Sequence, residues 1–448
     1  MEFVTYMKRL SSESRKLLIC LLIAVVIVSV VVTSVVLSPT LLKRQTTGFH
    51  FPAEFEEHEA VWVGWGKYEG VQGYPIEPVS LKIVETLVPF VKVKIPVYSL
   101  PEITRIKTLL KNNNVPLENV SFFPAPCVSV WWRDFGPIFL VDEEENMRIA
   151  DFNFSFWGYM STTANISRMY EKVDRHVANE MGIETIATAV ISEGGDREFN
   201  GRGTLIVTES VELQRNPNVS KEEIEDEFKR VFGVKKVIWL KNGVYDDEHF
   251  NMGRVWGPAG VKDAYLTGGT GGHVDEFCRF VGPNIILLAE ATAEEAKSDP
   301  VAKENRIRME ENFEILKGAT DQDGNPFEIV RMPIPETEYI TISPRDPIYQ
   351  TLAEANFKDG HIFPRGQSIK LIPASSYCNF LITNGIVLAP KYWEPGKPKS
   401  VKLKDERAIE ILQSLFPDRK IIAINPLPLN LDGGGIHCCT QQEPFANT

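Results

Sequence analysis

The chain has 448 residues, 43% of them hydrophobic and 24% charged, with a formal net charge of −12 at pH 7. That is enough for one large globular domain or two to three ordinary ones. The acidic balance excludes nucleic acid as a partner, because neutralising phosphates needs a basic face, and it suits a small cationic substrate.

Residues 1–16 are polar and mildly basic, and 17–37 form an apolar run broken only by Ser29, Thr33 and Ser34. The run is long enough to cross a bilayer as a helix, and no small-residue cleavage site follows it. Lys8, Arg9, Arg15 and Lys16 precede it, against Lys43 and Arg44 after it. The positive-inside rule then predicts a single-pass anchor with a cytoplasmic N-terminus and the remaining chain lumenal or extracellular. Asn-x-Ser tripeptides at Asn119, Asn153, Asn165 and Asn218 agree with that placement. Residues 38–50 read as a linker and 51–448 as one catalytic domain.

Within that domain, residues 60–65 and 91–97 alternate as strands, and 78–90 and 103–111 have helical spacing. A pattern then recurs: a Gly-containing turn leads into an apolar strand, at 133–141, 199–207, 280–288 and 380–390. The last three read as β-hairpins. Helical stretches separate them at 168–181, 221–232, 291–316 and 404–416. This is an internal repeat, and it fits a propeller-like ring of ββα units better than a doubly wound parallel sheet.

Five polar clusters sit beside the repeats. Trp131 and Trp132 precede Arg133 and Asp134; Glu193 opens a Gly-Gly turn; His273 and Asp275 follow Gly271 and Gly272. Cys378 and Asn379 open the fourth hairpin. The fifth is Leu-Asp-Gly-Gly-Gly-Ile-His-Cys-Cys-Thr-Gln-Gln at 431–442, where three glycines permit close backbone approach ahead of His437, Cys438 and Cys439. The six cysteines contain no C-x-x-C pair, which argues against structural zinc. One His, one Cys and several acids, each beside glycines at a strand end, describe a cysteine enzyme acting on a positively charged group.

Trp-Trp-Arg-Asp-Phe-Gly-Pro, Glu-Gly-Gly with Asn-Gly-Arg-Gly-Thr, Gly-Gly-His-Val-Asp, Asn-Phe with Asn-Gly-Ile-Val-Leu-Ala-Pro, and the Cys438 loop occur in order across about residues 50–444. In this the chain resembles the agmatine deiminase and Porphyromonas-type peptidylarginine deiminase family. The resemblance implies a five-bladed α/β propeller of pseudo-fivefold symmetry with its site on the axis. It implies Cys438 as nucleophile, His273 as acid/base and Glu193 as the acid that orients it. Asp134 and Asp275 would hold the guanidinium, with Asn379 near the reacting carbon and Trp131 in the substrate wall. No metal or organic cofactor is implied, and a homo-oligomer is left open. The expected reaction is hydrolysis of agmatine to N-carbamoylputrescine and ammonia. The alternatives are deimination of free or peptidyl arginine to citrulline, amidinotransfer, or a catalytically silent binding protein. Two departures stand out. Asp432 and Gly435 shift the usual Gly-Gly-Gly-Asn-Ile-His-Cys loop by one place, and Cys439 replaces an aliphatic residue.

Overall fold

Ile138–Val141, Thr204–Thr208 and Ile386–Pro390 are apolar and buried at every position. Such runs suit strands covered on both faces. The computed structural model describes residues 46–255 and 264–446, and in it these runs belong to sheets of one design. Ile138–Val141 pairs antiparallel with Met147–Asn153, which pairs parallel with Glu184–Ile191. Glu198–Phe199, Thr204–Thr208 and Lys236–Leu240 repeat the pattern. So do Cys278–Gly282, Ile285–Glu290 and Glu328–Pro333, and Leu381–Thr383, Ile386–Pro390 and Lys420–Ile424. In a fifth sheet the C-terminal strand Thr440–Pro444 lies antiparallel to His58–Val63, which continues in parallel to Lys92–Val97 and Val120–Pro124. The end of the described chain thus completes its first sheet.

Each parallel step needs a crossover, and a helix supplies it. In these five sheets the helices are Val173–Met181, Lys221–Phe232, Pro300–Gly318, Lys399–Leu415, Glu77–Leu87 and Leu100–Asn112. Lys221–Phe232 shows why such a segment is helical. Ser220 and Glu223 form a reciprocal capping box, Gly233 closes the helix in the left-handed region at φ 64°, and Ile224, Phe228, Val231 and Phe232 make one buried face. Phe228 and Phe232 meet Phe152 of the neighbouring sheet, Phe232 stacking on it at 5.4 Å.

The three hairpins and all the expected helices are present. Two helices are broken where one run was expected: Asn165–Tyr170 is separate from Val173–Met181, and Pro300 starts a new helix after Glu295–Ser298. Strand Ile138–Val141 also proves to be half of a hairpin. A sixth sheet, Arg254–Val255, Ala264–Leu266, Ile369–Ile372 and Ile340–Ile342, lies outside the repeat and was not foreseen.

The membrane expectation is corrected here. The proposed anchor at 17–37 lies outside the described residues. Among the described residues no helix is long and apolar enough to cross a membrane. The longest, Pro300–Gly318, carries Lys303, Glu304, Arg306 and Arg308 in two turns, charges that a hydrocarbon layer would expel. Three of the four tripeptides offered for the lumenal or extracellular placement are engaged within the fold, while Asn218 is exposed. The Asn119 and Asn153 amides donate to Val88 O and Ala189 O at 3.1 and 2.9 Å, and Ser155 and Ser167 of two tripeptides are buried.

Truncating Phe228, fully buried between helix and sheet, leaves a cavity that neighbours on two elements cannot fill. Phe228→Ala should cost about 3–5 kcal/mol, read as a lower urea midpoint at unchanged slope.

Candidate active site

The first strand of each of the five sheets is entered from a short segment that carries one of the predicted residues. Asp134 lies in the turn Trp132–Phe135 before Ile138–Val141. Glu193 precedes the turn Gly194–Asp196 before Glu198–Phe199. His273 precedes, and Asp275 lies within, Val274–Glu276 before Cys278–Gly282. Asn379 precedes Leu381–Thr383, and Cys438 precedes Thr440–Pro444.

These segments converge. A Cβ on Gly195 would fall 2.5 Å from His273 Nδ1, 3.0 Å from Asp134 Oδ1 and 3.2 Å from Asp275 Oδ2. Only glycine lets the three side chains close on that point. Gly434 does the same across the site, its Cβ position lying 2.7 Å from the Trp131 ring and 3.2 Å from Cys438 Sγ. Gly435 makes room for the Asn379 amide at 2.4 Å.

Asn379 fixes the Cys438 loop. Its Oδ1 accepts from His437 N at 2.8 Å, while its Nδ2 donates to Glu276 Oε1 at 2.9 Å and to Cys438 Sγ at 3.2 Å. Cys438 Sγ also lies 3.6 Å from Asp275 Oδ2 and from Glu276 Oε1. Burial, then Asp275, Glu276 and Asp134, push this thiol well above its ordinary range. Cys439 points elsewhere, its thiol donating to Gly435 O at 3.1 Å, and both cysteines are free.

His273 is fully buried, with Nε2 3.4 Å from Glu193 Oε2 and Nδ1 3.7 Å from Asp134 Oδ1. Burial works against a charged ring, but Asp134 and Glu193 outweigh it and push the imidazole up to about 10. Glu193 is itself held by Arg215 Nε at 2.9 Å. Burial would raise its carboxyl, yet Arg215 and His273 bring it down to about 2. Asp134 accepts from Trp157 Nε1 at 2.7 Å and from Gly195 N at 2.9 Å, and burial raises its carboxyl.

Asp275 closes on the same point as His273 but bonds to a different partner. The turn sends its Oδ2 to His437 Nδ1 at 2.7 Å, and His437 Nε2 reaches Glu54 Oε2 at 2.5 Å. Burial opposes ionisation of Asp275, but His437 and His273 hold it below the usual carboxylate range.

Asp275, Glu276 and Cys438 offer three ligand atoms within 4.8 Å of one another. The Asn379 N–H group aims between Glu276 and Cys438, however, and its positive end opposes a metal ion there. The arrangement accepts a planar cation that brings its own N–H donors.

Of these groups Trp131, Asp134, Trp157 and Cys438 open on a cavity of about 500 Å³, and the others lie behind its wall. Trp131, Asp134 and Cys438 lie in its wall with Trp157, Tyr159 and Phe250, and its charged lining groups are Asp134 and Asp432. Neither Arg133 nor Arg202 lines this cavity. Arg133 is buried against Gln442 Oε1 at 2.8 Å and His437 O at 3.3 Å, and Arg202 is exposed at a hairpin turn.

Sequence reasoning missed several participants. Trp157 and Phe156 take φ of 55° and 54°, rare for aromatic residues and concentrated at functional sites. No local pattern announces them. Glu54 in a turn before the first strand, Arg215 at the end of helix Glu209–Arg215 and Arg279 in strand Cys278–Gly282 hold the site through contacts that only the fold reveals. Glu276 stood in a quoted motif, and its neighbourhood with Asp275 was the available signal.

The profile of the Porphyromonas-type peptidyl-arginine deiminase family matches residues 50–255 and 254–444. The agmatine deiminase of Medicago truncatula is 31% identical over 415 residues, covering 89% of this chain and 96% of the relative. That of Pseudomonas aeruginosa strain LESB58 is 31% identical over 418 residues, covering 91% and 98%. The structure of the agmatine deiminase of Enterococcus faecalis matches with a TM-score of 0.66 at 24% identity, over 89% of this chain and 96% of that one, a likeness of fold.

His273 should keep its ring proton through neutral pH in the ligand-free protein. Its folded value lies above the ordinary 6.5, so the stability it gives is complete below pH 6.5 and is lost as pH rises through about 10. Asp134→Asn removes the strongest favourable charge and should bring proton release to lower pH. Imidazole nitrogen NMR shifts across a titration read this; release near pH 6.5 in the unsubstituted protein would contradict it.

Proposed function

The chain belongs to the Porphyromonas-type peptidyl-arginine deiminase family, and we propose that it is a hydrolase of guanidino C–N bonds that converts agmatine to N-carbamoylputrescine and ammonia. One observation carries the reading: the buried Cys438 thiol and the Asp134 carboxylate line one cavity whose charged lining is acidic, and the His273 imidazole and Asp275 carboxylate close on the same point as Asp134. Agmatine is cationic at both ends. Arginine would bring a carboxylate to the same wall, which disfavours the alternative.

We read the five sheets as blades of a pseudo-fivefold α/β propeller, with the five entry segments around its axis. In this reading Asp134 and Asp275 accept N–H bonds from the guanidinium and fix its plane. Trp131 walls the substrate channel. Cys438 is the nucleophile, Asn379 holds it beside the reacting carbon, and Glu193 keeps His273 oriented and charged.

The steps balance without a metal or organic cofactor. Cys438 releases its proton to solvent as the substrate cation arrives, since His273 already carries one, and the thiolate attacks the guanidinium carbon, forming an S–C bond. His273 donates its proton to the departing nitrogen, the C–N bond breaks and ammonia leaves. An S-alkylthiouronium remains on Cys438. Neutral His273 takes a proton from water, hydroxide adds to the same carbon, and the S–C bond breaks. The ureido product leaves with the oxygen of water, and the thiol is restored.

Ammonia release should be fastest with agmatine, compared with arginine and an arginyl peptide. Cys438→Ser should lower turnover about a thousandfold or more, while Cys439→Ser keeps most of it. A haloacetamidine should label Cys438 by mass spectrometry; label on Cys439 alone would assign the wrong sulfur. His273→Ala should lose turnover and still bind agmatine, whereas Asp275→Asn should weaken both.

A further inference from the structure

The cavity holds a second carboxylate that the chemistry above does not use. Asp432 stands at the start of the glycine run, where the family loop has its first glycine, so it adds a charge to a wall otherwise built of backbone. It lines the same cavity as Cys438. Tyr68 Oη donates to its Oδ2 at 2.7 Å. The other oxygen, Oδ1, accepts no hydrogen bond from the described residues. Gly70 leaves space beside it: a Cβ there would fall 2.9 Å from Oδ1.

Reach fits the substrate. The Cβ position of Gly434 is 3.2 Å from Cys438 Sγ, and Asp432 is two residues before Gly434, at most about 7 Å along extended backbone. From the guanidinium Nε of agmatine to its amine is five single bonds, about 6 Å when extended. A guanidinium at Cys438 therefore puts the amine within reach of Asp432. The interval between is walled by Trp131, Trp157 and Phe250, apolar surfaces suited to four methylenes.

We infer that Asp432, steered by Tyr68, receives the terminal ammonium of the substrate and selects guanidino compounds with a cationic tail. The inference rests on the guanidino-hydrolase reading and adds the group that reads the far end. Burial pushes the Asp432 carboxyl up to about 6, with the Tyr68 bond opposing, so it is ionised at neutral pH. An arriving ammonium restores the solvation that the carboxylate gave up. A carboxylate tail would instead meet like charge.

The test compares agmatine, arginine and butylguanidine, the last having agmatine's chain without its amine. In Asp432→Asn the agmatine KM should rise about 10- to 100-fold, the loss of a charge-assisted bond. The kcat/KM for butylguanidine should stay within about threefold, and the preference for agmatine over arginine should shrink. Tyr68→Phe should move agmatine KM the same way by less. An unchanged agmatine KM overturns the inference. So does an equal loss on butylguanidine, which would make Asp432 a loop-shaping residue. If the unsubstituted protein releases ammonia from none of the three, the hydrolase reading fails instead. Calorimetric titration then still decides: agmatine must bind tighter than butylguanidine, and Asp432→Asn must abolish the difference.

Discussion

The site depends on keeping several carboxylates ionised where water is excluded. Glu54, Asp134, Glu193, Glu198 and Asp275 are all buried, and an unpartnered buried carboxylate costs several kcal/mol. The fold answers with fixed donors. Arg215 lies on Glu193, and Arg279 spans Glu54 at 3.0 Å and Glu198. His437 bridges Glu54 and Asp275, and Trp157 with a backbone N–H holds Asp134. Two buried atoms at the centre find no hydrogen-bond partner among the described residues: Asp275 Oδ1 and His273 Nδ1. Charged groups left open at the centre of such a network are poised for a ligand rather than for stability alone.

That network exists because five segments of the same design reach one place. Each enters the first strand of its sheet, so the strand anchors a side chain only a few residues away. The approach is closer than side chains allow. Gly433, at φ 105°, lies with its Cβ position 2.2 Å from Gly268 O, so the loop bearing the thiol abuts the loop bearing His273 by backbone alone. The same closeness explains why the glycines cluster at the chemistry and not only at hairpin tips.

Much of this was legible in the chain. Hairpins announced themselves through Gly turns between apolar runs, and helix Lys221–Phe232 through its Ser and Glu cap and Gly stop. Cys438, His273, Glu193 and Asp134 were marked by nearby glycines, and Asn379 by motif order. What stayed hidden depends on distance in sequence. Nothing near Arg215 says that it will meet Glu193, and Glu54 meets His437 across 383 residues. The sixth sheet pairs strands of two to four residues, too short for a period-two signal. The apolar run at 17–37 invited a membrane reading through hydropathy alone, and that signal says nothing of the charged, amphipathic helices that the described chain builds.

The same electrostatics constrain when the nucleophile exists. Burial and three carboxylates oppose a thiolate at Cys438. The donors offered to the sulfur, the Asn379 amide and the Gly435 backbone, are neutral. Two unit charges 4 Å apart attract by about 4 kcal/mol at an effective dielectric near 20. A guanidinium between Asp134 and Asp275 thus supplies the favourable charge that the protein withholds. It also screens those carboxylates from His273, easing the proton release that the second half of the reaction requires. The empty site would keep its sulfur protonated and unreactive, which suits a thiol with Cys439 as its neighbour, since thiolates are the form that oxidises. In the proposed reaction the substrate's charge would bind it, align it and switch the nucleophile on.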